Sequence, residues 1–430
     1  MKRLITILFV LCMGMTMTTN AQTRYVGGDI SLLPSYETNG AQYKDQNGNT
    51  ISGGMLPYFK EQGMNAMRVR LFVDPSKASA THKGEGVRQD LEYVKALGKQ
   101  IKDNGLAFML DFHYSDTWAD PVKQWKPDAW KTLTDNQLYT RIYEYTKEVL
   151  QQLKAAGATP DFIQTGNEIS YGMLWGLESD GASSLKKCYV DNDSNWPYFT
   201  TLLKNAILAC REECPAAKVV IHTERVARPS VLYGFYDKMK SYAIDYDIIG
   251  LSYYPYYHGK LTTLDNVLTQ LESRFADKEI MIVETGYFHD WQPDNITGDN
   301  DLSATYPITG EGQKAFAQAL ISQLKSHEKV TGLFWWWMEA NEYGLNWNTQ
   351  RVTDAWYNAG LFDNQTGKAE PALYVLKDFL GDQTGISEVG TENIPSTDKG
   401  VYTLDGRFIG NELPLQQGIY IVGGKKRVVK

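Results

Sequence analysis

Two glutamates carry the strongest chemical signal in this chain. Glu168 ends the run Gln164-Thr165-Gly166-Asn167-Glu168, and Glu284 sits in Val283-Glu284-Thr285-Gly286, each closing an apolar stretch. A charged carboxylate set directly after a buried strand is costly unless it meets a partner or a polar cleft. If the two strand ends face one another, the carboxylates can stand about 5 Å apart, the separation of a retaining glycosidase in which one acts as nucleophile and the other alternates between acid and base. The plainer alternative, that each Glu salt-bridges a barrel arginine such as Arg70, suits a lone Glu better than a pair at two such strand ends.

Neighbouring residues extend this reading. The Asn167 amide can donate to a sugar 2-hydroxyl as positive charge develops on the ring; Asn also caps turns. Tyr253 or Tyr254 can hydrogen-bond Glu284, and Arg70 can lower its pKa by proximity. His113 and His222 are candidate hydroxyl binders, with a satisfied barrel histidine as the alternative. Asp29, Arg70 and Asp116, polar residues at further strand ends, are further candidates for binding the sugar. Trp118, Trp175 and one tryptophan of Trp335-Trp336-Trp337 offer flat faces for sugar stacking. Other chemistries lack their residues: there is no GxSxG elbow, no Cys has an evident His partner, and His222 with Glu224 does not make a metal triad. No metal ligand set and no required cofactor is expected. The Asp290–Asp301 stretch can offer calcium oxygen ligands, but it lacks a regular spacing and reads better as a solvated loop.

Positioning such residues requires a scaffold with many strand ends on one face. Apolar runs predict strands at 25–31, 66–73, 106–114, 162–169, 218–224, 247–255, 279–287 and 331–338. Amphipathic runs predict helices at 53–62, 87–104, 135–156, 198–213, 230–242, 264–276, 311–327 and 371–380, with Gly63, Gly105 and Gly157 where helix ends need them. Strands apolar along their whole length are covered on both faces, and eight βα units close most simply into an α/β (β/α)8 TIM barrel. The rival open, doubly wound sheet lacks its GxGxxG or Walker fingerprint. In a barrel, chemistry belongs at the C-terminal strand ends, where all the residues named above fall.

The 430 residues are 43% hydrophobic and 12% aromatic, a globular composition, and the net charge of −8 disfavours nucleic-acid binding. Lys2 and Arg3 precede an apolar run from Leu4 to Met15, and Thr19-Asn20-Ala21 offers a cleavage point before Gln22, so residues 1–21 read as a secretory signal. Cys12 follows the bulky Leu11, which disfavours a lipid anchor. The run is too short to span a bilayer, no later stretch reaches 18 apolar residues, and a soluble, exported monomer is expected, periplasmic, cell-surface or extracellular. Without the signal, 41 Lys and Arg face 51 Asp and Glu. Cys188, Cys210 and Cys214 form no disulfide framework and read as free thiols. The barrel is expected over 22–383 and a short β-rich tail over 384–430. The ending Gly418–Lys430 resembles the last strands of a type IX secretion sorting domain; a small β tail without an export role is the alternative.

Several motifs together resemble glycoside hydrolase family 53: Gly27-Gly28-Asp29-Ile30-Ser31, Arg68-Val69-Arg70 leading to Asp74-Pro75, Asp111 to Pro121 containing Ser115-Asp116-Thr117-Trp118-Ala119-Asp120-Pro121, Gly166-Asn167-Glu168-Ile169 with Leu174-Trp175, Ser252-Tyr253-Tyr254-Pro255, and Val283-Glu284-Thr285. The resemblance runs from about residue 25 to 380. It implies a (β/α)8 endo-β-1,4-galactanase acting by retention on galactan side chains of pectin, with Glu168 as acid/base and Glu284 as nucleophile. Their opposite roles predict a raised pKa for Glu168 and a depressed one for Glu284. Two departures stand out. Where relatives often read Tyr-Trp-Glu, this chain reads Phe334-Trp335-Trp336-Trp337-Met338-Glu339, and ungapped register selects Trp336. The loop after Glu284 also differs from the calcium-binding run of some bacterial relatives. The alternatives are a related barrel hydrolase acting on mannan or β-glucan, and a galactan-binding surface protein without catalysis.

Overall fold

A computed structural model describes residues 23–180, 184–381, 401–403, 408–410, 418–422 and 425–429. The expected signal peptide, the lipid-anchor position Cys12 and the start of the tail lie outside the described residues. Eight parallel strands, β1 (Tyr25–Asp29), β2 (Ala66–Leu71), β3 (Ala107–Phe112), β4 (Phe162–Thr165), β5 (Lys218–Thr223), β6 (Ile248–Tyr253), β7 (Glu279–Thr285) and β8 (Val330–Trp335), close in sequential order, with β1 bonded to both β2 and β8. The helices on the outside are α1 (Met55–Glu61), α2 (Leu91–Asp103), α3 (Asp135–Ala155), α4 (Trp196–Glu213), α5 (Pro229–Ser241), α6 (Leu261–Arg274), α7 (Gly310–Lys325) and α8 (Pro371–Val375). This is the expected (β/α)8 barrel. Local chemistry fixes some of these helix starts: Thr134 and Gln137 form a capping box at the start of α3, and Asp90 caps α2 by accepting from the Tyr93 amide.

The barrel interior has a lower apolar layer and an upper polar one. Ala66, Met109, Phe162, Val220, Ile248, Met281, Val283 and Phe334 fill its N-terminal half. Because side chains alternate along a strand, residues two positions on also face inward. Those residues include Arg68, Asp111, Gln164 and His222, all of them fully buried. Thus the spacing that packs the core also delivers polar groups to the mouth. On β7 the register against β6 slips between the pairs Leu251–Ile282 and Ser252–Glu284, skipping Val283. This bulge allows both Val283 and Glu284 to point inward, as bulges beside functional sites commonly do.

The strands end earlier than their apolar runs suggest. β4 stops at Thr165, and Glu168 stands in the turn beyond it with φ 47° rather than in the strand. Three short helices, Leu33–Asn39, Ala80–Gly84 and Pro255–His258, lie in the loops and were not expected, being too brief to show periodicity. Gly63, Gly105 and Gly157 adopt φ of 95°, 66° and 78° at the expected helix ends. Cys188, Cys210 and Cys214 are free and buried, and burial pushes all three thiols up, Cys214 to about 11. No helix among the described residues is long and apolar enough to cross a membrane.

A second unit comprises Asp382–Lys430. Its strands β9 (Val401–Thr403), β10 (Phe408–Gly410), β11 (Gly418–Val422) and β12 (Lys425–Val429) form an antiparallel sheet in the order β10-β9-β11-β12.

Closure between β1 and β2 leaves no room for a side chain at Gly27, where an added Cβ would stand 1.7 Å from the Ala66 carbonyl oxygen. Gly27→Ala is therefore expected to lower stability by at least about 2 kcal/mol. An unchanged urea midpoint for the variant would contradict this account of barrel closure.

Candidate active site

A cavity of about 740 Å³ opens at the C-terminal ends of the strands, with Glu168 and Glu284 on its walls. An oxygen of Glu168, an oxygen of Glu284 and a ring nitrogen of His222 lie within 4.8 Å of one another. Glu284 is held from two sides. Arg68 Nη2 stands 2.9 Å from its Oε1 as an ion pair, and the Tyr254 hydroxyl donates to its Oε2 at 3.1 Å. Glu168 Oε1 accepts from the Ser252 hydroxyl at 2.6 Å. Glu168 keeps its positive φ despite the penalty of roughly 1–3 kcal/mol usual for such backbone. That conformation turns its carboxylate out of the ladder and into the cleft.

Beneath the cleft, Arg68 is the hub. Its Nη1 donates to Asp29 at 3.1 Å, and its Nη2 to Asp111 at 2.8 Å and to Asn167 Oδ1 at 2.9 Å. Arg70 Nη1 donates to the other Asp29 oxygen at 2.9 Å. The Arg70 guanidinium lies 4.7 Å from the ring centre of Trp118 and 5.3 Å from those of Trp336 and Trp337. These cation–π contacts brace the aromatic floor from below. Trp336 and Trp337 stack at 5.1 Å, whereas Trp335 turns away and donates its indole N–H to the Ala359 carbonyl.

Burial sets the protonation pattern. Glu168 is pushed well above the usual carboxylate range by desolvation, then by the negative charges of Glu284 and Glu224. Glu284 is raised as well, to about 7, because desolvation outweighs the opposing Arg68 charge and the Tyr254 hydrogen bond. The expected depressed pKa of Glu284 is thus corrected. Arg68 also faces Asp29 and Asp111, so its charge is shared among three carboxylates. Glu224, at the end of β5, is raised to about 7 by burial despite its bond to Arg225. His222 is kept neutral by burial and by Arg68.

Six of the residues singled out from sequence line the cleft: Trp118, Asn167, Glu168, Tyr254, Glu284 and Trp336. The other seven do not, and each has a structural engagement instead. Asp29 is consumed by the two arginines, and Arg70 lies under the indoles, so the cation beside Glu284 is Arg68. His113 accepts the Ala119 amide at Nδ1 and reaches Asp111 through Nε2, fixing the loop that carries Trp118. Asp116 accepts the Asp74 and Asp128 amides and borders a separate 480 Å³ hollow. Trp175 is buried, donating to the Tyr171 carbonyl. His222 is fully buried between Ser252 and Gln164. Tyr253 alternates away from Tyr254, and its hydroxyl reaches the Gly259 carbonyl.

Some cleft residues were not among those selected. Trp356, with φ 64°, and Tyr257 form part of the wall. They sit in loops with no periodic signal. Arg68 was visible in Arg68-Val69-Arg70, where period-2 spacing gives both arginines the same face but not their depth.

The Glu168–His222–Glu284 grouping has enough ligand atoms to suggest a metal centre. His222 already uses both ring nitrogens in hydrogen bonds, and the Arg68 cation occupies Glu284. The donor set suits proton chemistry better. In the loop after β7, Asp299 pairs with Lys260, and Asp301 accepts from Ser303 and Gln292.

Residues 25–376 match the profile described as Glycosyl hydrolase family 53. An arabinogalactan endo-beta-1,4-galactanase of Cellvibrio japonicus is 31% identical over 367 residues, which is 82% of this chain and 90% of that protein. Among solved structures, the Ignisphaera aggregans GH53 catalytic domain aligns with a TM-score of 0.70 at 33% identity, covering 81% of this chain and 94% of its own. A structure from a study of two fungal beta-1,4-galactanases aligns with a TM-score of 0.66 at 27% identity, covering 82% and 98%.

Buried carboxyls make stability pH-dependent. Glu339 is fully buried, accepts the Leu32 amide, and is raised to about 8 by desolvation and Asp29. A raised carboxyl favours the fold fully below the unfolded pKa near 4.5, and that contribution is lost as pH rises through about 8. The melting temperature is expected to fall between pH 5 and 8.5, and Glu339→Gln to reduce that fall. Equal slopes for the two proteins in calorimetry would sink the assignment.

Proposed function

Because the chain belongs to glycosyl hydrolase family 53, we propose that it cleaves internal β-1,4 links between galactosyl units of the galactan side chains of pectin, by a retaining double displacement. The single observation that carries the mechanism is the facing pair Glu168 and Glu284, with oxygens within 4.8 Å across the cleft. Such closeness suits direct attack by one carboxylate, whereas an inverting pair needs room for a water between them. The galactanase names of the Cellvibrio and fungal relatives support the substrate. The basic, apolar segment from Lys2 to Met15 supports export.

The residues divide the work by their surroundings. Two carboxylates this close do not both ionise readily, so near neutral pH the pair holds one proton. Arg68 and Tyr254 favour charge on Glu284, while Glu168 faces Glu224 and Asp120 and retains the proton. Glu284 Oε attacks the anomeric carbon as the bond to the leaving sugar oxygen breaks, and the Glu168 proton passes to that oxygen. In the second half, water attacks the same carbon, its proton passes to Glu168, and Glu284 leaves as a carboxylate. Trp118 and Trp336 give the sugar ring an apolar face, and their position over Arg70 keeps it rigid.

Purified protein is expected to release reducing sugar from linear β-1,4-galactan but not from β-mannan or soluble cellulose. Glu284→Ala should lower kcat by on the order of 10⁴-fold or more, and Glu168→Ala by on the order of 10²–10⁴-fold. Azide should rescue Glu284→Ala as the α-galactosyl azide and Glu168→Ala as the β-anomer. The opposite anomers would reverse the roles, and release from mannan or cellulose instead would overturn the substrate while leaving the carboxylate pair in place.

A further inference from the structure

Behind Glu168 stands a buried hydrogen-bond chain with a defined direction. Nδ1 of His222 faces the Gln164 amide nitrogen at 3.1 Å and the Glu168 backbone N–H at 3.4 Å. The Asn167 carboxamide oxygen also stands 3.0 Å from Nδ1 and accepts from Arg68 at 2.9 Å, but the Glu168 backbone N–H can only donate. Nδ1 is therefore the acceptor, which assigns the ring hydrogen to Nε2. Nε2 then donates to Ser252 Oγ at 2.8 Å. With that lone pair filled, the Ser252 hydroxyl has one hydrogen to give, and Glu168 Oε1 at 2.6 Å is far closer than Glu284 Oε2 at 3.5 Å.

We propose that Ser252, held in place by His222, is a positioning residue that occupies Oε1 of Glu168 in both protonation states and so confines the catalytic proton to Oε2. The proposal rests on the retaining reading above. When Glu168 is the acid, Oε1 accepts as the carbonyl oxygen and Oε2 bears the hydrogen toward the leaving oxygen. When Glu168 is the base, the same donor stabilises the carboxylate and leaves Oε2 free to take the proton from water. No bond to Ser252 is made or broken in either half. A neutral His222 suits this, because its single N–H stays on Nε2 while Glu168 gains and loses its proton.

Other groups facing Glu168 act by charge or packing. Glu284 faces it from β7, Glu224 with Arg225 from the end of β5, Asp120 from the loop after β3, and Tyr254 and Tyr257 from the end of β6. Ser252 is uncharged, so removing it leaves those charges in place and tests the hydrogen bond alone.

Removing a donor to a carboxylate raises its pKa. Ser252→Ala should therefore move the basic limb of kcat/KM on galactan up by about one pH unit. With an aryl galactobioside bearing a dinitrophenyl leaving group, release needs no acid and kcat reports the second half. Its acidic limb, set by Glu168 as base, should move up by a similar amount. Ser252→Thr, which keeps the hydroxyl, should restore both limbs. Carbon-13 titration of the Glu168 carboxyl in the unliganded protein, assigned with Glu168→Gln, should show the same upward shift. Loss of rate at every pH with both limbs unmoved, or an unshifted carboxyl titration, would overturn the proposal and leave Ser252 as packing only. A wild-type protein inactive on galactan would instead sink the substrate reading, while the carboxyl titration would still decide the role of Ser252.

Discussion

The site depends on one constraint, the burial of the Arg68 guanidinium at the centre of the barrel. A cation removed from water must be matched by charge and hydrogen-bond acceptors around it, or the fold loses several kcal/mol. The matching groups come from four other strands or strand ends: Asp29, Asp111, Asn167 and Glu284. Each is positioned by the need to satisfy the cation, so the geometry of the cleft follows from solvation. Arg68 and Arg70 are opposed by Asp29, Asp111 and Glu284, giving one excess negative charge when Glu284 is ionised. The balance closes when Glu284 is neutral. When ionised, Glu284 therefore carries charge that the floor does not fully compensate, and this adds to burial in raising that carboxyl in spite of its cationic neighbour.

The apolar and polar layers of the barrel are products of the same alternation. Ala66, Met109, Phe162 and Val220 fill the lower half, and two residues later the same strands supply Arg68, Asp111, Gln164 and His222. The lower layer excludes water from beneath the upper one. Hydrogen bonds and ion pairs in the upper layer are correspondingly strong, and each unmatched group correspondingly costly. A dense network results, with Gln164 tying Asp111, Asn167 and His222 together.

The architecture was legible because eight apolar runs alternate with eight amphipathic ones, and because the polar and aromatic residues suited to chemistry gather at the C-terminal strand ends. The meeting of Glu168 and Glu284 at the cleft was legible for the same reason. What escaped was anything that depends on depth or face. Arg68 and Arg70 share a face two residues apart, and the stagger of strands around the barrel decides which one meets Glu284. Tyr253 and Tyr254 are adjacent, and only the point where β6 ends selects the inward one. The bulge at Val283 leaves no mark in the pattern of apolar residues. His113, Asp116 and His222 were read as sugar ligands because polar residues at strand ends usually face the cleft. Here they hold loops and neighbouring side chains, and the cleft is finished by Tyr257, in the short helix Pro255–His258, and by Trp356, which belongs to no regular element. The pKa of Glu284 was inferred from its role, whereas desolvation, which is invisible in sequence, sets its direction.

The tryptophans around Arg70 have a spectroscopic consequence. Trp118, Trp336 and Trp337 share one fixed cation and pack against one another at 5.1 to 6.3 Å between ring centres. Such closely coupled indoles exchange excitation, and their absorption and emission respond as a group to the polarity of the cleft. A ligand that displaces water from this floor alters the near-ultraviolet signal of several chromophores at once. The molecule thus carries an intrinsic optical gauge of cleft occupancy, built from the same contacts that keep the floor flat.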